Sequence, residues 1–150
     1  MTPVSDLEDH TGYWMRMVSN AVSQAFARKL AAEDVTVAEW SFLRCLLGLE
    51  PVAPSALADA MGMTRGAISK LADRLEAKGL VNRQENPADG RAHSLSLTSE
   101  GRQRVPVLAA LADRNDAELF NLLKPEDHAR LKSLLKAVAD GHGLRSTPLD

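Results

Sequence analysis

A mainly α fold with a small antiparallel hairpin is the class this chain predicts, on three observations. Apolar residues recur at spacings of three and four over most of the 150 residues, the period of one helix face. Leu and Ala dominate while aromatics make up only 4%, a composition that favours helix. Alternation in steps of two appears around Leu95 and Leu97, just after the turn-forming run Glu85-Asn86-Pro87-Ala88-Asp89-Gly90.

From about Leu7 to Ala32, Trp14, Met17, Val18, Ala21, Val22, Ala25 and Leu30 mark one long helix, which Asp34-Val35 ends. Thr36-Val37-Ala38-Glu39 then matches a capping box, in which the Thr oxygen and the Glu carboxylate satisfy orphan backbone N–H groups. The second helix therefore starts near Val37, turns Trp40, Leu43, Leu46 and Leu47 to one side, and stops before Glu50-Pro51. Pro54 suits the first position of a third helix, although Ala53 is a poor cap for it. A fourth helix begins at the good N-cap Thr64, buries Ile68, Leu71, Ala72 and Leu75, and stops at Gly79. Val81 to Arg83 and His93 to Leu97 read as short strands. Thr98 caps a fifth helix running through Val105, Leu108, Leu111 and Leu119 to about Leu123, with Glu100 near its positive end. After Lys124-Pro125, a last helix holds Leu131, Leu134, Leu135 and Val138 until Gly141.

Between Pro54 and Arg102 this order is helix, tight turn (Gly62-Met63-Thr64), helix, strand, turn, strand, which is a winged helix-turn-helix and the layout a DNA reader needs. The chain is one domain, 1–150, with a winged lobe over 36–104 and flanking helices over 6–32 and 105–142. Those flanking helices carry apolar faces that a lobe of such size cannot cover alone. They pack either on a second copy in a two-fold dimer, which suits a palindromic site, or on each other in a monomeric six-helix bundle. The formal net charge of −2 argues against a nucleic-acid partner, but its distribution reverses that conclusion. Residues 64–104 hold eight Lys/Arg against five Asp/Glu, and the remainder ten against fifteen. Phosphate attraction is local, because a Debye length of about 8 Å hides remote charge.

These residues together resemble the MarR (multiple-antibiotic-resistance regulator) family of bacterial regulators. The resemblance rests on the run Thr36 to Leu43, the segment Ala56-Leu57-Ala58-Asp59-Ala60-Met61-Gly62-Met63-Thr64, the run Leu71 to Val81, and Asp89-Gly90-Arg91 followed by Leu97-Thr98-Ser99-Glu100-Gly101-Arg102. It implies a homodimer joined by the N- and C-terminal helices, a recognition helix in the major groove and a wing at the minor groove. It also implies, often, a small-molecule pocket between the DNA-binding and dimerisation regions. The expected function is sequence-specific regulation of transcription, as a repressor of a palindromic operator released by an aromatic or phenolic effector. The alternative is a winged-helix module that docks a protein instead of DNA, which Arg65, Lys70 and Arg91 count against.

Arg65, Ser69 and Lys70 fall opposite the apolar stripe of the fourth helix, with Thr64 and Gly66 at its first turn. Arg65 can fork onto guanine O6 and N7, and Gly66 lets the backbone approach closely. Arg74, flanked by Asp73 and Glu76, either holds a phosphate or pairs within the protein. In the family pattern Asp89 shapes the wing loop beside Arg91, which enters the minor groove, where narrow A·T tracts concentrate negative potential. Arg83 and His93 are candidate phosphate neighbours on the strands. The resemblance implies an effector pocket where the first two helices meet the DNA-binding lobe, and Trp14, Met17, Trp40, Phe42 and Arg44 are its candidates, since aromatic rings beside a cation suit an aromatic carboxylate. The alternative, which Trp and Met at helical spacing favour, is plain core.

The single cysteine, Cys45, excludes an intramolecular disulfide and lies inside an apolar helix, where thiols are inert. Its four histidines are scattered, so no metal or other cofactor is expected. No nucleophile–base pair or Gly-rich phosphate loop is visible, and an enzyme is not expected. Asp6, Glu8 and Asp9 are incompatible with a signal peptide, and no apolar run reaches about 18 residues, which points to the cytoplasm and away from membranes.

Overall fold

In the computed structural model, which describes residues 1–86 and 89–149 and, for 86 and 89–92, the backbone alone, the order of elements follows the expected one. It differs at the first helix. Leu7–Asp9 form a separate 3-10 turn, in which the Asp6 N–H donates to the Asp9 carboxylate at 3.0 Å. His10 is extended, and helix α1 runs Thr11–Ala31. Asp34 closes the next corner in the left-handed region (φ 57°), a conformation that Asp tolerates better than most residues. The capping box then forms: Thr36 Oγ1 accepts the Glu39 N–H at 3.1 Å, Glu39 Oε1 accepts the Thr36 N–H at 2.9 Å, and α2 spans Val37–Leu49.

Helix α3 is Pro54–Met61, entered at Ala53 without any side-chain cap and left through Gly62 at φ 66°. Helix α4, Arg65–Ala77, is capped by Thr64 Oγ1, which accepts the Ala67 N–H at 3.1 Å. Strands β1, Val81–Asn86, and β2, Asp89–Leu97, pair antiparallel from Val81↔Leu97 to Glu85↔His93, with an irregularity before Asn86↔Asp89. Both strands are longer than the expected 81–83 and 93–97. Asn86 precedes a proline, which biases it toward extended backbone, so the ladder continues into residues whose composition signals a turn. Val52 adds an unforeseen bridge to Leu95, with N–H···O distances of 3.1 and 2.8 Å.

Helix α5 is Ser99–Phe120, ending before Leu123 because Asn121 begins a turn; it continues through Pro106, which gives up one ladder hydrogen bond. Helix α6 is Pro125–Gly141.

Leu30, Phe42, Leu43, Leu46, Leu57, Met61, Ile68, Leu75, Leu95 and Leu108 are fully buried and make one core between the last turn of α1, α2, α3, α4, the strands and the first half of α5. Two close contacts tie the wing to this core. Arg102 grips the Glu50 carboxylate with both Nη atoms, and Glu50 Oε1 also accepts the Leu97 N–H at 3.1 Å. Gly101 sits against the Leu80 carbonyl, so near that a Cβ there would be 2.2 Å from the oxygen. Gly101→Ala is therefore expected to destabilise the fold despite the helix propensity it adds, about 1 kcal/mol. Overpacking against backbone outweighs that gain, for a net loss of about 2 kcal/mol or roughly 4–8 °C in Tm. Thermal unfolding followed by circular dichroism checks this.

The flanking helices behave differently. Helix α1 buries only Leu30 fully and α6 buries no residue, while Trp14 and Met17 on α1 and Leu134 and Val138 on α6 are about half exposed. The C-terminal segment returns to the helix-turn-helix, where the Thr147 N–H donates to the Met61 carbonyl at 3.1 Å.

Candidate nucleic-acid interface

The outward side of α4 follows from its inward one. With Ile68, Leu71, Ala72 and Leu75 buried, helical geometry turns Arg65, Gly66, Ser69 and Lys70 to solvent, and all four are exposed. Among the described residues Arg65 and Lys70 make no ion pair or side-chain hydrogen bond, so two cations stand uncommitted at the N-terminal half of the helix. A Cβ on Gly66 would meet nothing within 4 Å, which leaves this turn open to close approach. The unfilled N–H groups of the first turn add partial positive charge beside Arg65. Thr64 is committed to its cap.

Two of the candidate DNA contacts, Arg83 and Arg74, have partners within the protein. Arg83 Nη1 lies 2.7 Å from Asp73 Oδ1 and Nη2 donates to the Ser69 carbonyl at 3.3 Å, which fastens the wing to α4. Arg74 Nη2 lies 3.4 Å from both Thr36 Oγ1 and Glu39 Oε1, an internal pair made by a side chain that is half exposed. His93 is exposed on β2 opposite Glu85. Asp89 and Arg91 belong to β2 by backbone, and their side chains lie outside the described residues.

Glu39 is the group that sequence reasoning used only as a cap. It is fully buried, and besides the Thr36 N–H it meets Lys78 Nζ at 3.2 Å from Oε1 and 3.0 Å from Oε2. Burial alone would raise its pKa, but the Thr36 N–H, the Lys78 ammonium and the Thr36 hydroxyl together hold it below the ordinary carboxylate value. Because the folded value is the depressed one, the stabilisation is present at neutral pH and is lost only as acid titrates the carboxylate through that lowered value. The capping spacing announced the carboxylate; the Lys78 contact needed the tertiary fold.

The candidate effector residues do not meet in one cavity. Phe42 is sealed in the core, Trp40 is half-buried against it, and Arg44 is exposed. Trp14 instead lines an apolar groove of about 600 Å³ with Met15, Val18, Phe120, Leu131 and Leu135, between α1, the end of α5 and α6. Met17 is exposed on α1 and does not line that groove. Burial pushes the Cys45 thiol up in pKa against the weaker pull of Arg44, so its thiolate is disfavoured. No helix among the described residues is long and apolar enough to cross a membrane.

Comparison with known proteins adds the following. A model of the MarR family matches residues 33–92, which covers α2 through most of the wing. A protein of Thauera aromatica named for transcriptional regulation of the hcr operon is 31% identical over 128 residues, covering 85% of this chain and 77% of its own. Among solved structures, a variant of Escherichia coli MarR in complex with operator DNA is 28% identical, with a TM-score of 0.75 over 85% of this chain and 91% of that one. The PcaV transcriptional regulator of Streptomyces coelicolor, in complex with its natural ligand, is 25% identical, with a TM-score of 0.73 over 93% and 98%.

Proposed function

Since this chain belongs to the MarR family of transcriptional regulators, we propose that it is a homodimeric repressor that reads a palindromic operator and is released by a small aromatic or phenolic effector. The observation that carries the reading is the pair of uncommitted cations, Arg65 and Lys70, on the exposed N-terminal half of α4. In this reading α4 enters the major groove with Thr64 and Gly66 close to the backbone, and the wing carries Asp89 and Arg91 to the minor groove. The lobe 36–104 reads DNA, and the helices of 6–32 and 105–142 join two copies. The apolar groove along α1, α5 and α6, together with the exposed Met17, Leu134 and Val138 of the same helices, supports the dimer, because contiguous exposed apolar surface marks sites that partners cover.

Release requires an effector with higher affinity for a dimer whose two α4 helices are wrongly spaced for successive major grooves, about 34 Å apart. A ligand bound equally by both arrangements shifts nothing. The PcaV regulator, similar to this chain and solved in complex with its natural ligand, supports the presence of an effector.

Selection of genomic fragments by the purified protein, repeated with a panel of aromatic acids and phenols, tests the whole reading. One enriched palindrome, displaced by one compound, is the expected outcome. Enrichment that no compound reverses removes the sensor and keeps the regulator; no enrichment even at low salt moves the weight to a protein-docking module. Within this reading Arg91→Ala is expected to weaken operator binding about tenfold, the scale of one or two kcal/mol of minor-groove contact, with Tm unchanged. Titration at fixed salt checks it, since phosphate-dominated affinity moves steeply with ionic strength.

A further inference from the structure

The two ends of α4 are held in different ways. Its N-terminal end is capped only by its own Thr64, whereas its C-terminal end sends two cations, Arg74 and Lys78, to the single buried carboxylate of Glu39 on α2. Arg74 and Lys78 are four residues apart, so they lie on one helix face. Lys78 Nζ also donates to the Asp34 carbonyl at 2.6 Å and stands 3.8 Å from Asp34 Oδ2. It therefore joins the corner before α2, the first turn of α2 and the last turn of α4.

The helix dipoles favour this arrangement at both partners. Glu39 sits at the positive end of α2, and Lys78 at the negative end of α4. Glu39 Oε2 receives no aligned hydrogen bond and faces the ammonium at 3.0 Å, so the contact depends on charge as well as on donor geometry.

What this anchor can do follows from the length of the helix. The apolar stripe Ile68, Leu71 and Leu75 fixes how deep α4 lies, and Arg83 holds its middle at Asp73 and the Ser69 carbonyl. A non-directional stripe and one mid-helix clamp leave a tilt that contacts at the C-terminal end restrain. From Lys78 to Arg65 is about 20 Å at 1.5 Å per residue. A tilt of about 8° at the anchored end would move Arg65 by roughly 3 Å, the length of a hydrogen bond. A bidentate base contact does not survive such a shift.

We propose that Glu39 is a positioning residue for DNA recognition, its buried carboxylate setting through Lys78 and Arg74 the angle at which α4 presents Arg65, Ser69 and Lys70. The inference rests on the DNA-reading role proposed above, and it makes Arg74 part of the anchor and not a phosphate ligand.

The test uses two variants. Glu39→Gln keeps the side chain's size and its acceptor for the Thr36 N–H while removing the charge; Lys78→Met removes the cation from a partly exposed position and spares the buried group. Each is titrated by fluorescence anisotropy with the palindromic duplex enriched by the unsubstituted protein and with a scrambled duplex of equal length. The folded fraction is verified by circular dichroism, well below Tm. Expected is at least a tenfold loss on the palindrome for each variant, with binding to the scrambled duplex within twofold and the log–log salt slope unchanged, since no phosphate-facing cation is lost. The double variant is expected to lose little more than the larger of the two single losses, because the Glu39–Lys78 contact is common to both. A purely structural role lowers Tm and leaves the palindrome affinity of the folded protein within twofold, which overturns the proposal, as do equal losses on both duplexes. If Glu39→Gln does not fold, Lys78→Met decides alone. Failure of the unsubstituted protein to enrich any duplex overturns the DNA reading and this inference with it.

Discussion

Combining Leu135→Glu with Val138→Glu is expected to convert a dimer into a monomer at micromolar concentration and to lower affinity for the palindrome at least a hundredfold. Both residues are exposed on α6, at 40% and 60%, and Leu135 also lines the apolar groove against α1 and the end of α5. An interface over that groove would take two carboxylates per copy out of water with no cation assigned to them, at several kcal/mol each. The affinity loss follows from symmetry. A monomer reads one half-site, so it forfeits the base contacts of the other, at about 1–3 kcal/mol apiece, and two such contacts at the middle of that range, about 4 kcal/mol together, exceed a hundredfold. Because α6 contributes nothing fully buried to the core, the fold of each copy is expected to survive. Sedimentation velocity and anisotropy titration read the two effects separately. A dimer that tolerates both glutamates places the interface elsewhere, and a monomeric unsubstituted protein removes the symmetric reader altogether.

How far the chain is legible without coordinates depends on how local each cause is. The caps at Thr36, Thr64 and Thr98 are visible because each joins residues three apart, and all three form. Periodicity identifies the buried stripe of α4 correctly, and its exposed side follows by geometry. Where a residue's partner lies far along the chain, the pattern falls silent. Glu39 reads as a cap, yet its cations are 35 and 39 residues away, and the Arg74 pair is visible only once α2 and α4 are placed together. Arg83 reads as a free strand cation for the same reason and is paired to Asp73. Trp14 and Phe42 share an aromatic character but not an environment. One lines an open groove and the other is sealed, and spacing along a helix does not say which chain, if any, covers a face. The wing strands run longer than their alternation because backbone pairing tolerates turn-forming side chains at its edge.

Arg65→Ala is expected to weaken binding to the palindrome by at least thirtyfold and to remove discrimination at one base pair of each half-site. Arg65 opens α4, is exposed, and has no partner among the described residues, so its removal leaves no buried charge and no broken pair inside the protein. Loss of affinity then reports the contact alone. A forked Arg–guanine contact carries about 1–3 kcal/mol, and a two-fold dimer makes it twice, so about 2 kcal/mol is the lower bound and corresponds to the thirtyfold figure. Base reading and phosphate binding by the same side chain make opposite forecasts when protein and DNA are changed together. If Arg65 reads a guanine, replacing that symmetric base pair costs the unsubstituted protein its advantage and costs Arg65→Ala little more, so the two changes do not add. If Arg65 holds a phosphate, every duplex loses alike, the losses add, and the log–log salt slope falls by nearly two for the dimer. A thirtyfold loss that is additive at every base pair would therefore keep Arg65 in the interface and take it out of sequence reading, leaving specificity to Ser69, Lys70 and the wing.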